Sequence, residues 1–168
     1  GGAVTNPVNA LAGLVAAMHD ESGRVTIPGY YDDVAPLRQA EREEWRKLPM
    51  DDAAYAASLG VDALGAGERG FSVLERRWAR PTLDCNGILG GYTGLGAKTI
   101  IPSQASVKIS MRLVSDQRPE KAMEGFQRFV AEHTPPGIRA ELKVNAGARP
   151  VMLPLRSPAM EAGRAALL

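Results

Sequence analysis

The sequence predicts an α+β fold, a two-layer sandwich in which helices cover one face of a mainly antiparallel sheet. The clearest strand is 105–114, where apolar and polar side chains alternate strictly, as in a strand with one buried face. Two segments with helical spacing of apolar residues supply the covering layer, one near residue 10 and one from Pro119 to about Glu132. Half-buried strands and amphipathic helices together favour this two-layer arrangement.

The first predicted elements are a helix and a short strand. Asn6 is a good cap and Pro7 suits the first helical position. One face of the helix is apolar through Val8, Leu11, Val15 and Met18. The helix ends near His19, and a turn at Ser22-Gly23 leads into the strand candidate 24–27.

Residues 30–78 differ from the rest of the chain in their residue pattern, and they are interpreted as a helical insertion within the same domain. The segment 36–47 is charge-rich and helical, Asp51 begins a second helix through Leu59, and 71–78 forms a third. Glycines separate these helices. The side chains expected to pack the insertion are Trp45, Tyr55, Leu59 and Trp78.

The rest of the chain is more regular. A strand at 82–88 is followed by the glycine-rich connection 90–96 and by the strand 105–114. The helix that begins at Pro119 is ended by the segment 134–137. Residues 138–144 then alternate again, which predicts a further strand. Ser157 and Pro158 then begin a last helix.

Composition excludes several classes of protein. The chain has 45% apolar and 23% charged residues, which argues against disorder. The net charge is +1 with scattered basic residues, so we expect no nucleic-acid partner. No apolar run reaches the length of a membrane span, and no signal peptide is visible, so we expect no membrane partner. A single cysteine favours a reducing, cytoplasmic setting.

The residues give little support for a metal site or for a catalytic nucleophile. The two histidines, His19 and His133, lie far apart near helix ends, where an imidazolium interacts well with the helix dipole. No Cys-x-x-Cys or His-Glu-x-x-His pattern occurs, so no metal ligand is assigned. Cys85 shares strand parity with Leu83 and is expected to face the core.

The glycine-rich connection invites a phosphate-loop interpretation, which its continuation disfavours. Lys98-Thr99 comes after the glycines, but Ile100-Ile101-Pro102 and a strand come next. No helix N-terminus is then available to hold an anion. A mobile glycine hairpin with one or two substrate-contacting groups fits better.

Arg112 is the strongest candidate for a functional side chain. Parity places it on the polar face of its strand together with Asn86 from the preceding strand, and Thr99 lies shortly before the same strand. The planar guanidinium suits a bidentate grip on a carboxylate. A solvated strand arginine is the competing interpretation.

Several segments resemble the lid domain of the aminoacylase, carnosine dipeptidase and glutamate carboxypeptidase family of zinc enzymes, peptidase family M-twenty, and most of all its dipeptidase branch. The most specific stretches are 80–88, Gly90 to Gly94, 96–102 and 108–114. Residues 1–7 look like the segment directly after the family's His-Ser-Gly motif. The resemblance implies a ferredoxin-like lid, with two helices on a four-stranded antiparallel sheet plus the helical insertion.

The resemblance also implies roles. Family members use a lid arginine, matched by Arg112, to hold the substrate's terminal carboxylate, and a threonine, matched by Thr99, that contacts substrate. Asn86 and Gly94 lie nearby with less defined roles. The implied partners are a second copy of the chain in a homodimer, the catalytic domain of the same parent chain, and a peptide or acyl-amino-acid substrate in the partner's active site.

The resemblance places both zinc ions, their ligands and the general base outside this chain, so we expect no cofactor, no catalytic residue and no activity in it alone. Residues 1–150 would form the lid, and 151–168 would begin the return into a catalytic domain that the chain lacks. Both ends are interpreted as cuts in a longer protein. A stand-alone ferredoxin-like module for a small ligand or a protein is the alternative, which the flanking reading frame would decide.

Overall fold

The computed structural model describes residues 1–145, 147–152 and 157–167. The helices in this part of the chain are α1 (Pro7–Ala16), α2 (Gln39–Arg46), α3 (Asp52–Leu59), α4 (Val73–Trp78), α5 (Pro119–His133) and α6 (Pro158–Leu167). The strands are β1 (Thr82–Gly90) and β2 (Ala105–Arg112). Their mixture confirms the predicted α+β class.

The sheet of the described residues is an antiparallel hairpin of β1 and β2. The burial of β2 alternates residue by residue, as the sequence predicts, with Arg112 on the exposed side and Met111 on the half-buried side. A β-bulge lies between Cys85 and Gly87 and shifts the register by one residue. The hairpin therefore has one apolar and one polar face.

Helices α1 and α5 both pack on the apolar face of the hairpin. The core cluster joins the buried residues Met18, Val25, Ile27, Tyr30, Leu83, Ala122, Phe126, Phe129 and Val130. Ile109 and Met111 of β2 pack against it. Gly125 of α5 approaches the Pro28 carbonyl so closely that a Cβ atom there would collide with it. This contact lets α5 lie directly on the segment that comes after α1.

The predicted insertion contains α2, α3 and α4, and local capping explains where two of them begin. The Asp51 carboxylate accepts a hydrogen bond from the backbone N–H of Ala54 at 2.7 Å, and Ser72 and Glu75 form a capping box. Trp45 and Trp78 pack edge to face as expected. Leu59, however, is 56% exposed and does not pack the insertion.

Two predicted strands are wrong. Residues 24–27 make a single bridge, Val25 with His19, and 138–144 form no strand. Alternation records which side chains are apolar, but a strand also needs a neighbour with free hydrogen-bonding groups. No strand lies beside 138–144 within the described chain, and Val144 is 57% exposed.

The prediction for Cys85 is also wrong, because this residue is exposed. Its parity is nevertheless that of Leu83, since Cys85 pairs with Ile109 just as Leu83 pairs with Met111. The helices bury Leu83 but leave the same face uncovered two residues further on. Periodicity gives the face of a side chain and does not show how far the covering layer extends.

Candidate functional site

Arg112 ends strand β2 and stands on the polar face of the hairpin, opposite Thr82. Its side chain is exposed. Within the described chain, Arg24, Arg42, Arg76 and Arg80 each form an ion pair with a carboxylate, whereas Arg112 forms none. An exposed guanidinium with unused donors can bind a carboxylate through two parallel hydrogen bonds.

An open cleft of about 310 Å³ lies at this end of the hairpin. Its walls combine charged and apolar groups from β2, from the end of α4 and from the segment after residue 149. The lining residues are Arg77, Trp78, Arg80, Thr82, Arg112, Leu113, Val114, Ser115, Pro150, Val151 and Met152. Arg112 is therefore part of a concave site and not an isolated surface cation.

Arg80, in the wall of this cleft, belongs to a buried ion pair. Arg80 donates from Nε and Nη2 to the two carboxylate oxygens of Glu68 at 2.7 and 2.8 Å, and Arg24 donates to the same carboxylate at 2.9 Å. Both Arg80 and Glu68 are about nine-tenths buried. The Arg80 guanidinium is thus committed to a structural role, which leaves Arg112 as the cleft arginine better placed for a ligand.

Tyr31 completes this network. The Arg24 guanidinium lies 3.6 Å from the centre of the Tyr31 ring, and the Tyr31 hydroxyl accepts a hydrogen bond from the Val25 N–H. Burial raises the pKa of the Tyr31 hydroxyl above its usual value. The sequence carries no signal for the role of Glu68, because one acidic residue among glycines has no periodicity that distinguishes it from a solvated side chain.

The glycine-rich connection leaves and re-enters the hairpin at its other end. The Tyr92 hydroxyl donates to the Leu95 carbonyl at 3.1 Å, and the Lys98 ammonium lies 5.4 Å from the Tyr92 ring. A Cβ atom on Gly94 would come within 2.6 Å of Tyr92 Cζ. Glycine at position 94 therefore lets the ring close over the loop, and no helix lies between Thr99 and the start of β2.

Asn86 lies at the β-bulge, where β1 has one residue more than β2. It is exposed. A bulge redirects one side chain and increases the local twist. Its position in the middle of β1 places Asn86 between the Arg112 cleft and the glycine-rich connection.

The structure thus separates the candidate residues into two groups. Ala105, at the base of the connection, and Arg112 are seven residues apart on one strand, which at about 3.3 Å per residue is roughly 23 Å. A dipeptide is much shorter than this. The Arg112 cleft and the base of the connection that carries Gly94 and Thr99 cannot both be spanned by one small substrate.

Metal ligands are not grouped in the described part of the chain. It contains no cluster of three or more histidine, cysteine, aspartate or glutamate side chains that could hold an ion. His133 stacks on Phe129 and its Nδ1 lies 2.8 Å from the Phe129 carbonyl oxygen. The described residues therefore do not supply the ligand set of a dizinc centre.

None of the described helices has the length and apolarity needed to cross a bilayer.

Comparison with known proteins gives a consistent result. Residues 1–138 match the family model described as peptidase dimerisation domain. The Cys-Gly metallodipeptidase DUG1 of Candida albicans is 34% identical over 134 residues, which cover 79% of this chain and 27% of the relative. The chain thus spans about a quarter of the length of that curated relative.

Solved structures resemble the whole fold. The M-twenty family metallo-carboxypeptidase Sso-CP2 from Sulfolobus solfataricus aligns with a TM-score of 0.80 and 33% identity, over 95% of this chain and 36% of that one. Human carnosine dipeptidase 1 aligns with a TM-score of 0.70 and 28% identity, over 80% of this chain and 28% of that one. The two-strand hairpin and its covering helices therefore belong to a known arrangement.

Proposed function

This chain belongs to the peptidase dimerisation domain family, and from this membership we propose that it is the dimerisation and substrate-clamping lid of a dizinc metallopeptidase. The activity would be that of a dipeptidase or of an acyl-amino-acid amidohydrolase. The catalytic domain of the same parent chain would hold the two zinc ions and activate water. A free, exposed Cys85 is compatible with a reducing, cytoplasmic setting.

The observation that carries the proposal is the position of Arg112. An exposed guanidinium without a carboxylate partner in the described chain lines a cleft at the end of the hairpin. We infer that it binds the terminal carboxylate of the substrate and so fixes which amide bond reaches the metal centre. Such a contact supplies orientation to the reaction and not bond breaking.

The separation of the two candidate groups supports a division of labour in the dimer. One end of the hairpin presents Arg112 and the other presents the connection with Thr99 and Gly94, with the bulge at Asn86 between them. Because about 23 Å is too far for one dipeptide, we infer that the two ends of a lid serve different active sites. One of these sites would belong to the partner subunit of a homodimer.

Arg112→Ala in the full-length, metal-loaded enzyme tests the proposal. We expect kcat/KM for substrates with a free terminal carboxylate to fall by roughly 10²–10³-fold, because charge-assisted hydrogen bonds to that group are lost. Lys108→Ala is the matched control, since Lys108 is exposed on the same face of the same strand. It should leave kcat/KM nearly unchanged.

A second substrate makes the test specific for the carboxylate. The same peptide with a terminal carboxamide should be a poor substrate for the wild type and no worse for the Arg112→Ala variant. If the variant cleaves the free peptide as fast as the wild type does, Arg112 is not the clamp and the proposed role is wrong.

A further inference from the structure

Trp78 lines the same cleft as Arg112. Helix α4 ends at Trp78, and four residues later the chain reaches Thr82, which pairs with Arg112 across the hairpin. The indole and the guanidinium both line the 310 Å³ cleft. A side chain from the insertion thus shares a cleft with the candidate carboxylate anchor.

The surroundings of Trp78 hold the ring in place and leave much of it open. Its ring packs edge to face with that of Trp45 at 5.4 Å between centres and 81° between planes. The residue is nevertheless 51% exposed. A large aromatic surface that is fixed from one side and open on the other gains from covering by a further apolar group.

The other arginines of the cleft are engaged elsewhere. The Arg77 guanidinium lies 4.9 Å from the Tyr55 ring centre, on the α3 side, and Arg80 is bound by Glu68. Among the described groups of the cleft wall, this leaves one guanidinium, that of Arg112, without a carboxylate or aromatic partner. Trp78, Leu113 and Val114 add apolar groups to the otherwise polar and charged lining of the cleft.

We propose that Trp78 forms the wall of the subsite that receives the side chain of the carboxylate-bearing residue of the substrate, and that it selects large apolar or aromatic side chains there. The inference rests on the proposed function, because it takes Arg112 as the anchor. In an α-amino acid the side chain and the carboxylate are bonded to the same carbon. A carboxylate held at Arg112 therefore brings its side chain to the neighbouring wall.

The experiment compares Trp78→Ala, Trp78→Phe and the wild type in the full-length, metal-loaded enzyme. The substrates are dipeptides with one N-terminal residue and with glycine, leucine, phenylalanine or aspartate at the C-terminus. We expect Trp78→Ala to lower kcat/KM about tenfold for the leucine and phenylalanine substrates and to leave the glycine substrate unchanged. Trp78→Phe should keep most of the preference.

The outcomes separate this inference from the proposed function. If Arg112→Ala impairs all four substrates but Trp78→Ala leaves the ratio of phenylalanine to glycine unchanged, the clamp stands and the Trp78 subsite is wrong. Equal losses on every substrate with Trp78→Phe also overturn it. So does an aspartate preference that Arg77→Ala removes, because the subsite would then be cationic. If Arg112→Ala changes nothing, the proposed function itself fails.

Discussion

Two arginines at one end of the hairpin show how burial decides whether a guanidinium has a structural role or is available to a ligand. Arg80 is about nine-tenths buried and holds Glu68 through two hydrogen bonds, whereas Arg112 is exposed in the cleft and has no described carboxylate partner. A buried guanidinium must be paired, and a paired one has few donors left for a ligand. Sequence patterns place Arg112 on the polar face, but they cannot distinguish the environments of the two side chains.

Gly94→Ala tests the loop at the scale of one residue. The added Cβ collides with the Tyr92 ring, which is 44% exposed and can swing away at the cost of its hydrogen bond to the Leu95 carbonyl. We expect kcat/KM of the full-length enzyme to fall about tenfold, because the loop that carries Thr99 changes shape, while the free energy of unfolding changes by less than about 0.5 kcal/mol.

The matched comparison is Tyr92→Ala, alone and combined with Gly94→Ala. Both single substitutions disturb the same closure of the ring over the loop, so the double variant should be no worse than either single one. If the losses in kcat/KM multiply, the two residues act independently and the steric explanation is wrong.

At the scale of elements, the sequence predicts caps and alternation well. It predicts poorly which segments are covered by, or paired with, another element. The Asp51 cap, the start of α5 at Pro119 and the alternation of β2 depend on neighbours along the chain, and the structure confirms them. Whether 138–144 forms a strand and whether Cys85 is buried depend on elements far away in sequence, and both of these predictions are wrong. Periodicity contains no information on whether such an element covers the segment or pairs with it.

Glu68 of the insertion forms ion pairs with two residues outside it, Arg24 after α1 and Arg80 just before β1. Glu68→Gln should lower the free energy of unfolding of the chain by about 3 kcal/mol, because Arg80 remains buried without its counter-charge. Urea unfolding followed by circular dichroism measures this change.

The control for Glu68→Gln is Glu44→Gln. The Glu44 ion pair with Lys47 is exposed at both partners, so its loss should cost less than about 0.5 kcal/mol. Similar losses for the two variants would show that burial does not distinguish these ion pairs and that Glu68 does not fasten the insertion.

At the scale of the whole molecule, the length of the hairpin is the property that matters for function. Its two ends are too far apart to meet one dipeptide, yet each carries a candidate substrate-contacting residue. The proposed symmetric dimer would account for this if its two-fold axis brought unlike ends of two identical lids to each active site. The resemblance predicts these residues, and strand β2 separates Arg112 from Ala105, at the base of the connection, by roughly 23 Å.

Mixing Arg112→Ala and Thr99→Ala subunits, each of which we expect to be strongly impaired alone, tests this arrangement. If Arg112 and Thr99 of one lid serve different sites, a heterodimer of Arg112→Ala and Thr99→Ala subunits has one site with both residues intact. Random reassociation of equal amounts should then restore about a quarter of the wild-type activity. If both residues of one lid serve the same site, every site keeps a defect and the mixture remains inactive.

The outer edges of β1 and β2 have no strand beside them within the described chain. In such a two-stranded ribbon every second backbone amide points away from the partner strand. In deuterated water these outward amides should exchange quickly while the inward ones are protected, which gives an alternating pattern along 105–112. A segment that docks on either strand edge would slow exchange of the outward-pointing amides of that strand. Hydrogen exchange measured on the proposed dimer can therefore locate a covered edge.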